Sequence, residues 1–414
     1  MRSISRLPSV DDYAPLIGRD RVARIKAKAR ALRGTSVVHV SSTYYGGGVA
    51  EMLCPLTLLM SSLGIKTAWR IIRGTPEFFK FTKYMHNALQ GGPADPARMN
   101  AAVYEQVIHQ NALRNPLETD RDAVIVHDPQ PLALVAHYRR NVPWIWRCHL
   151  DLTDPEPGAW NYVAPWIAKY DAAILSCPEY ARDLPVPQHF FLPAVHPFTA
   201  KHREMSWSEI NARLAQYRIP TDLPLVVQVS RFDRWKDPSG VVEAFRIARR
   251  KVPATLVLLG NFADDDPEGR EIFEATARQR EERILVLPHG DDPLLVNSLQ
   301  RRAAVVLQKS LREGFGLTVA EAMLKGTPVI GGAVGGIRRQ IDDGDNGFLV
   351  SSIEEAAERM VQLLLDPRLR ARMGERAREK ARKNFLLTRY LEQYLDLLGS
   401  LEGASRPSRL RQVA

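Results

Sequence analysis

The sequence has only three cysteines, Cys54, Cys148 and Cys177, and none of them lies close to another along the chain. This scarcity excludes a small disulfide-stabilised domain and favours a reducing, cytoplasmic setting. No apolar run approaches the length that a membrane-spanning helix needs, so we expect no membrane span and no membrane partner. The N-terminal segment MRSISRLPSVDDY has no apolar core, so we expect no signal peptide.

Metal-ligand spacing and a nicotinamide-binding motif are also missing. No cluster of His, Asp or Cys is spaced like the ligands of a metal, so we predict no protein-held metal. The three glycines at residues 46–48 do not fit the G-x-G-x-x-G pattern. We therefore expect no tightly bound cofactor, and the sequence is compatible with a Mg²⁺ ion that travels with a nucleotide.

Acidic residues are outnumbered, 47 against 57 lysines and arginines, which gives a net charge of +10. Much of the excess lies in residues 368–383 and 406–411, which we interpret as a solvated helix face and a loose tail. A positive cleft for a phosphorylated ligand is a compatible interpretation. No nucleic-acid-binding module and no interleaving of arginine with aromatic residues occurs, so we expect no nucleic-acid partner.

The chain of 414 residues fits two domains, and short apolar runs alternate with amphipathic stretches along it. In the first half the runs are 36–40, 67–72, 123–126, 143–146, 172–175 and 189–192. In the second half they are 225–229, 254–259, 284–287, 304–307, 328–330 and 347–350. This alternation predicts an α/β fold with two Rossmann-like, doubly wound domains, and we expect them to face each other across a cleft.

The boundary between these domains is expected near residues 193–205, where no periodicity of either kind is clear. We therefore predict an N-terminal domain over residues 1–200 and a C-terminal domain over residues 201–384. A further helix is predicted at about residues 385–400, where apolar residues recur at helical spacing. The tail, residues 401–414, is expected to be mobile.

The most informative segment is residues 310–341, which holds Glu313 and Glu321 with seven residues between them. A turn, Gly314-Phe-Gly316, follows the first glutamate, and a helix-like stretch carries the second. A short apolar strand and a glycine cluster come next. Acidic groups at the loop edge of such a unit are typical of a nucleotide-binding half of a doubly wound fold.

Two cations, Arg231 and Lys236, follow the predicted strand LVVQV. Ligands of open α/β sheets bind at the carboxyl ends of the strands, so these side chains are placed to meet an anion. An arginine presents a planar fork to phosphate oxygens, and a lysine adds a mobile point charge. Two solvated loop cations would be the default interpretation of the pair in isolation.

Together, the E-x7-E pattern around Gly-Phe-Gly and the R-x4-K pair resemble the donor site of retaining GT-B glycosyltransferases of family 4. Within that family the chain is most similar to the trehalose synthases, and the resemblance covers nearly its whole length. The stretches that carry it are VSSTYYGGGVAEML, EFFKFTKYMHNALQGG, VHDPQPLAL, WRCHLDLT, VSRFDRWKDP and LQKSLREGFGLTVAEAM. The stretch VGGIRRQI lacks the Pro-Glu of the broader family, as this subgroup does. The resemblance implies that the terminal helix packs back on the N-terminal domain.

The resemblance also implies the roles of the donor-site residues. Glu321 would bind the nucleotide ribose, and Glu313 the hydroxyls of the donor hexose. Arg231 and Lys236 would neutralise the diphosphate. Backbone amides of two glycine-bearing loops would approach it as well; they belong to Gly47, Gly48, Gly316, Leu317 and Thr318.

His149 closes the predicted strand PWIWRC, and a histidine at this place in the family lies beside the donor sugar and the reaction centre. We therefore count His149 with Glu313, Arg231 and Lys236 as catalytic candidates. Candidate residues for binding the acceptor come from two places. One is the positions on either side of His149, and the other is the segment 77–92, in which residues 83, 86 and 87 share one helix face. They are Lys83, His86, Asn87, Arg147 and Asp151.

The predicted reaction is the retaining transfer of glucose from a nucleoside-diphosphate glucose to free glucose, which makes or reversibly cleaves α,α-trehalose. The alternatives are a trehalose phosphorylase and a family-4 enzyme with another acceptor. A glycoside hydrolase also uses two carboxylates but does not need the cations and glycine loops, and a non-catalytic nucleotide-sugar sensor would not need the acceptor site. The sequence leaves open the donor base, the physiological direction and a homodimer.

Overall fold

The computed structural model describes residues 8–44, 47–93, 101–115, 117, 122–261 and 268–409, with side chains up to residue 401. The chain divides into two compact units. Unit 1 consists of Met1–Tyr44, Val49–Pro193 and Leu387–Ala414, and unit 2 of Tyr45–Gly48 and Ala194–Leu386. Residues 410–414 of the predicted tail lie outside the described residues.

Unit 1 is built on a six-stranded sheet with the order β2-β1-β3-β4-β5-β6, in which all neighbouring strands are parallel. Its strands are β1 (Ser36–Ser41), β2 (Lys66–Ile71), β3 (Ala123–His127), β4 (Trp144–Arg147), β5 (Ala172–Leu175) and β6 (Gln188–Phe190). Its helices are α1 (Ala14–Ile17), α2 (Arg19–Ala31), α3 (Gly48–Ser62), α4 (Pro76–Leu89), α5 (Ala101–Arg114), α6 (Pro157–Ile167) and α14 (Leu387–Arg409).

Unit 2 contains a second six-stranded parallel sheet, with the order β12-β11-β10-β7-β8-β9. Its strands are β7 (Leu225–Val229), β8 (Thr255–Leu259), β9 (Ile284–Leu287), β10 (Ala303–Gln308), β11 (Val329–Gly332) and β12 (Gly347–Val350). Its helices are α7 (Trp207–Gln216), α8 (Pro238–Arg249), α9 (Gly269–Ala277), α10 (Pro293–Arg302), α11 (Leu317–Lys325), α12 (Ile353–Leu365) and α13 (Pro367–Asn384).

Each of the twelve apolar runs contributes to one strand of these sheets. The strands are short and rich in valine, isoleucine and leucine, and the central ones are buried along their whole length, as β1, β3, β7 and β8 show. Burial on both faces is what a parallel sheet covered by helices requires. The predicted α/β class with two parallel, doubly wound sheets is therefore confirmed.

Side chains at the first turns fix where several helices begin. Asp292 accepts hydrogen bonds from the backbone amides of Leu294 and Leu295, both at 3.0 Å, at the start of α10. At the start of α13, Asp366 accepts a hydrogen bond of 2.9 Å from the backbone amide of Leu369. Such caps satisfy amides that have no partner inside the helix, and losing one costs about 1 kcal/mol.

The strand orders place one switch point in each sheet. In unit 1, β2 lies on one side of β1, whereas β3 and the strands after it lie on the other side. The direction of winding therefore reverses between β1 and β3. In unit 2 the same reversal occurs between β7 and β10. The loops that follow these strands diverge and leave a crevice, which is where open α/β sheets bind ligands.

The last helix, α14, packs within unit 1. Glu392 forms ion pairs with three cations of α2, at 3.2 Å to Arg21, 2.9 Å to Arg24 and 3.3 Å to Lys28. The side chain of Arg389 donates a hydrogen bond of 3.0 Å to the carbonyl oxygen of Pro193. Because the helix extends to Arg409, residues 401–409 of the predicted tail are helical.

Three further observations concern membranes, disulfides and metals. Across the described residues, no helix is long and apolar enough to cross a membrane. All three cysteines are free thiols; Cys54 is exposed, whereas Cys148 and Cys177 are buried. In the same part of the chain, no group of three or more His, Cys, Asp or Glu side chains is arranged to hold a metal ion.

Candidate active site

The loops at the switch point of unit 2 bring Lys236 and Glu313 together. Lys236 follows β7, Glu313 follows β10, and Lys236 Nζ forms an ion pair with Glu313 Oε2. The same oxygen accepts hydrogen bonds from Ser310 Oγ at 3.2 Å and Gln308 Nε2 at 3.5 Å. The two charged side chains retain 18% and 10% of their exposure, so the pair is sheltered but open to a ligand.

Buried polar contacts hold the backbone of both loops. Gln228 lies in β7 and donates from Nε2 to the carbonyl oxygen of Lys236 at 2.8 Å. The amide of Leu311 donates to the carbonyl oxygen of Trp235, also at 2.8 Å, which joins the two loops directly. The position of the Lys236–Glu313 pair is therefore set by backbone contacts as well as by the attraction of the two charges.

Arg231 lies at the start of the β7 loop and keeps 26% of its side-chain exposure. Its Nη2 atom is 3.9 Å from Asp233 Oδ2, and Asp233 caps the following turn by accepting from the amide of Trp235 at 2.8 Å. Farther along, Lys309 forms an ion pair of 2.5 Å with Asp237. Three cations of the two loops, Arg231, Lys236 and Lys309, thus lie near carboxylates at the switch point.

Helix α11 begins at the same edge. Gly316 precedes its first residue and has a φ of +85°, which a residue with a side chain rarely adopts. A Cβ atom there would also lie 3.2 Å from the Glu313 side chain. The first amides of a helix have no partner inside it, which makes those of Leu317 and Thr318 candidates to meet an anion.

The glycine loop after β1 is only partly described. Gly46 lies outside the described residues, Gly47 has a φ of +94°, and Gly48 is the first residue of α3. Gly47 and Gly48 group with unit 2, whereas the rest of α3 belongs to unit 1. An approach of these amides to a diphosphate stays a prediction.

Glu321 lies within α11 and is 1% exposed. Lys201 Nζ is 2.7 Å from its Oε1 atom, and Gln300 Nε2 donates to its Oε2 atom at 3.3 Å. Burial alone would raise the pKa of Glu321, but the neighbouring Lys201, His202 and Lys325 outweigh burial and lower that pKa to about 2. The carboxylate is therefore ionised, and a ribose would reach it only if Lys201 moved.

In unit 1, His149 follows β4 and joins two other histidines. Its Nε2 atom is 3.1 Å from Nδ1 of His127, and His127 Nε2 is 3.0 Å from Nδ1 of His39. The backbone amide of His149 donates to Asp128 Oδ1 at 2.7 Å. His39 and His127 belong to β1 and β3, so the three rings lie at the switch point of this sheet.

Arg147 and Asp151 flank His149 but differ in their surroundings. Arg147 is fully buried and donates to Tyr390 Oη, to Ser176 Oγ and to three carbonyl oxygens, at 2.8–3.3 Å. These contacts use all five of its N–H donors. Arg147 therefore fastens α14 to the sheet of unit 1, which leaves it no N–H donor for an acceptor sugar, contrary to the prediction. Asp151 is 1% exposed and accepts from the amide and hydroxyl of Thr153 at 2.9 and 2.6 Å.

The remaining acceptor candidates, Lys83, His86 and Asn87, all lie in α4. Lys83 and Asn87 are four residues apart and are each 6% exposed, whereas His86 is half-buried. Two buried polar side chains one turn apart form a polar strip on a helix that packs mainly through apolar residues. Their role toward an acceptor stays a prediction.

Several residues of the site went unrecognised in the sequence. His39 and His127 interrupt otherwise apolar strands, and a polar residue inside a buried strand is a signal that could have identified them. Gln228 and Gln308 carry the same signal in β7 and β10. Lys201, the partner of Glu321, lies in the boundary segment without periodicity, where nothing in the sequence marks it.

Two family models match the chain. The model "Trehalose synthase, N-terminal domain" matches residues 39–182, and the model "Glycosyl transferases group 1" matches residues 210–380. The first match contains the three histidines, and the second contains Arg231, Lys236 and both glutamates of the E-x7-E segment. Together the models cover most of both units.

Curated relatives agree with these matches. The chain is 42% identical over 403 residues to a trehalose synthase of Pyrococcus horikoshii, which covers 95% of this chain and 97% of the relative. It is 37% identical over 413 residues to a trehalose synthase of Rubrobacter xylanophilus, with the same coverage. A trehalose phosphorylase of Grifola frondosa is 28% identical over 91% of this chain, which spans 58% of that longer protein.

Solved structures show the same fold at low sequence identity. A sucrose-phosphate synthase from Thermosynechococcus elongatus superposes with a TM-score of 0.70 at 18% identity, covering 89% of this chain and all of that one. A trehalose-6-phosphate synthase gives a TM-score of 0.71 at 13% identity, covering 88% and 99%. These likenesses show that the fold is GT-B.

Proposed function

Because the chain belongs to the trehalose synthase family of glycosyltransferases, we propose that it transfers glucose from a nucleoside-diphosphate glucose to free glucose. The product is α,α-trehalose, the donor's anomeric configuration is retained, and the reaction is reversible. The observation that carries this proposal is the Lys236–Glu313 ion pair, since a cation and an acid meet at the switch point of a nucleotide-binding fold beside the start of α11.

Unit 2 is proposed to bind the donor. In this proposal the diphosphate meets Lys236, Arg231 and the first amides of α11, all of which carry or present positive charge. Glu313 is then released from Lys236 and accepts hydrogen bonds from hydroxyls of the donor hexose. Glu321 binds the ribose, for which its ionised state is suited because a carboxylate accepts bonds from two vicinal hydroxyls.

Unit 1 is proposed to supply His149 at the donor sugar and the polar residues that bind the acceptor glucose. Support comes from the match of residues 39–182 to the N-terminal domain of trehalose synthases, which includes all of these positions. Lys83, His86 and Asn87 on α4 and Asp151 after β4 are the proposed acceptor residues. Hydroxyl groups of a sugar suit such a mixture of donors and acceptors.

The proposed chemical step forms one bond and breaks one bond at the anomeric carbon. The acceptor hydroxyl attacks that carbon from the face that the diphosphate leaves, and its proton passes to a leaving phosphate oxygen. Lys236 and Arg231 stabilise the negative charge that develops on the diphosphate, and one well-aimed donor contributes about 3 kcal/mol in comparable sites. No covalent intermediate is assigned.

A screen of donors and acceptors tests this proposal. The purified full chain is incubated with UDP-, ADP- or GDP-glucose, with and without Mg²⁺, and with glucose, fructose or glucose 6-phosphate. We expect trehalose from at least one donor with free glucose, and a rate of trehalose formation at least about 100-fold lower in the Lys236→Ala variant. Transfer to fructose or glucose 6-phosphate in preference to glucose would replace the acceptor assignment while keeping the donor site.

A trehalose phosphorylase is the second candidate, because three fungal phosphorylases are 26–28% identical to this chain over most of its length. A phosphorylase would place inorganic phosphate where the donor diphosphate is proposed to bind. Cleavage of trehalose separates the two candidates: glucose release that depends on a nucleoside diphosphate supports the synthase, and release that depends on phosphate supports the phosphorylase.

A further inference from the structure

Three imidazoles, two of them buried, form a continuous hydrogen-bonded chain at the switch point of unit 1. The N···N distances are 3.0 Å from His39 Nδ1 to His127 Nε2 and 3.1 Å from His127 Nδ1 to His149 Nε2. Neighbouring rings are 5.3 and 5.4 Å apart between centroids. His39 and His127 are 0% and 1% exposed, and His149 is half-buried. Each short N···N contact requires one proton between its two nitrogens.

The surroundings favour three neutral rings. Burial lowers the pKa of His39 to about 4 and places the pKa values of His127 and His149 well below their usual range. The buried guanidinium of Arg147 lowers the last two further. With one proton on each ring, the chain has two arrangements: every proton is on Nδ1, or every proton is on Nε2.

The inner end of the chain decides between these arrangements. Within the described part of the molecule, His39 Nε2 is buried and has no hydrogen-bond partner. The ring of Tyr394 lies edge-on to His39, with centroids 6.1 Å apart. A buried N–H donor without an acceptor is rarer in proteins than an unmatched acceptor. His39 Nε2 therefore carries a lone pair, and the His39 proton lies on Nδ1.

We infer that His39 and His127 are positioning residues, which hold His149 in the neutral tautomer that carries its proton on Nδ1. The proton on His39 Nδ1 points to His127 Nε2, and the proton on His127 Nδ1 points to His149 Nε2. Nδ1 of His149, the nitrogen that does not face His127, is then a hydrogen-bond donor. The inference rests on the proposed function in one respect only, since it is the proposed sugar contact of His149 that gives this donor a substrate.

Imidazole nitrogen NMR on the full chain labelled with ¹⁵N-histidine tests the tautomer without any assay of activity. The signals of His149 are assigned by their loss in His149→Gln. We expect the Nδ1 signal of His149 to have the shift and proton coupling of an N–H nitrogen and the Nε2 signal those of an unprotonated nitrogen. The opposite assignment, or rapid exchange between both tautomers, overturns the inference.

Two variants of His127 test its positioning role. An asparagine amide lies near the place of Nδ1, so His127→Asn keeps a donor for His149, whereas the glutamine amide of His127→Gln lies near Nε2 and does not. We expect kcat to fall about 10- to 100-fold in His127→Gln with KM for glucose little changed, and His127→Asn to recover most of the loss. Equal loss in both variants overturns the role of His127.

Matched controls distinguish a failure of the proposed glucosyl transfer from a failure of the inferred positioning role of His39 and His127. The exposed His109 lies in unit 1 but is not part of the hydrogen-bonded histidine chain. His109→Gln should therefore leave both kcat and the NMR signals of His149 unchanged. If a His127 variant does not fold, His39→Asn and His39→Gln offer the same comparison one ring farther in. An expected tautomer without glucosyl transfer would contradict the proposed function but leave the tautomer inference standing.

Discussion

Lys236 and Glu313 are 77 residues apart in the chain, and their side chains form an ion pair at the switch point of unit 2. Each follows a strand at which the winding of the sheet changes direction, β7 for the lysine and β10 for the glutamate. The ion pair holds the Lys236 side chain in place beside the carboxylate. A diphosphate that takes over the lysine would free the acid for the donor sugar.

Replacing Lys236 by alanine should lower kcat by about 100-fold or more, because the leaving diphosphate loses an aimed positive charge. Steady-state kinetics with a saturating nucleoside-diphosphate glucose measure this. Lys251→Ala, which removes an exposed lysine just after α8, is the matched control and should retain normal kcat. A normal kcat in Lys236→Ala would remove the lysine from the mechanism.

The two glutamates should be separable by their ligands. Glu321→Gln should weaken the binding of a nucleoside diphosphate by about tenfold, since the ribose loses a charged hydrogen-bond acceptor. Glu313→Gln should leave that binding nearly unchanged and lower kcat. Isothermal titration calorimetry with the nucleoside diphosphate alone, which contains ribose but no hexose, reports the difference, and equal affinities in both variants would contradict the assignment.

Arg147→Lys should destabilise unit 1 without changing the KM for glucose. A lysine has three donors and no planar fork, so some of the buried oxygens that Arg147 now contacts would be left without a donor, at a cost of about 1–3 kcal/mol for each. Thermal unfolding and acceptor kinetics measure the two effects. A raised KM for glucose at unchanged stability would return Arg147 to the acceptor site.

Lys83→Ala should raise the KM for glucose, because the proposal places its ammonium group at acceptor hydroxyls. Lys80 provides the matched control, since it lies on the same helix, α4, and is exposed. Acceptor kinetics at saturating donor compare the two variants. Equal KM values would leave α4 a packing helix with a polar strip.

Acid should destabilise the protein below neutral pH. Burial lowers the pKa of His39 and His196 to about 4 and, together with Lys325, that of His202 to about 3. Between the ordinary histidine pKa and these values, the unfolded chain binds protons that the folded chain does not. The free energy of unfolding therefore falls as pH falls, by up to about 1.4 kcal/mol per pH unit for each histidine.

Unfolding midpoints between pH 7 and pH 5 at constant ionic strength measure this slope. His39→Asn should flatten the profile of unit 1, because it removes one buried group that titrates while it keeps a donor for His127. His109→Asn, at an exposed position, is the control. A midpoint that does not change over this pH range would contradict the neutral state of the buried histidines.

The fold could be predicted largely because its strands are short, apolar and regularly spaced. Short runs such as LVVQV that alternate with amphipathic stretches predict buried strands, and β7 has the predicted bounds. The grouping of Arg231, Lys236 and Glu313 could be predicted for a related reason: all three lie just after strands, and such positions converge at one sheet edge.

Other features of the site depend on contacts between distant parts of the chain, which no local sequence pattern encodes. Nothing near Arg147 in the sequence indicates that its five donors meet α14, since Tyr390 lies 243 residues away. The partner of Glu321, Lys201, lies in a segment without periodicity. The histidine chain requires a strand order that places β1, β3 and β4 side by side, which becomes visible only in the folded sheet.

The most direct test is an NMR measurement of the product formed from a nucleoside-diphosphate [1-¹³C]glucose and unlabelled glucose in phosphate-free buffer. We predict a disaccharide with an α,α-1,1 linkage, ¹³C label at an anomeric carbon in the α configuration, and one equivalent of nucleoside diphosphate. A β-configured anomeric carbon, or labelled free glucose as the sole product, would contradict retaining glucosyl transfer to glucose.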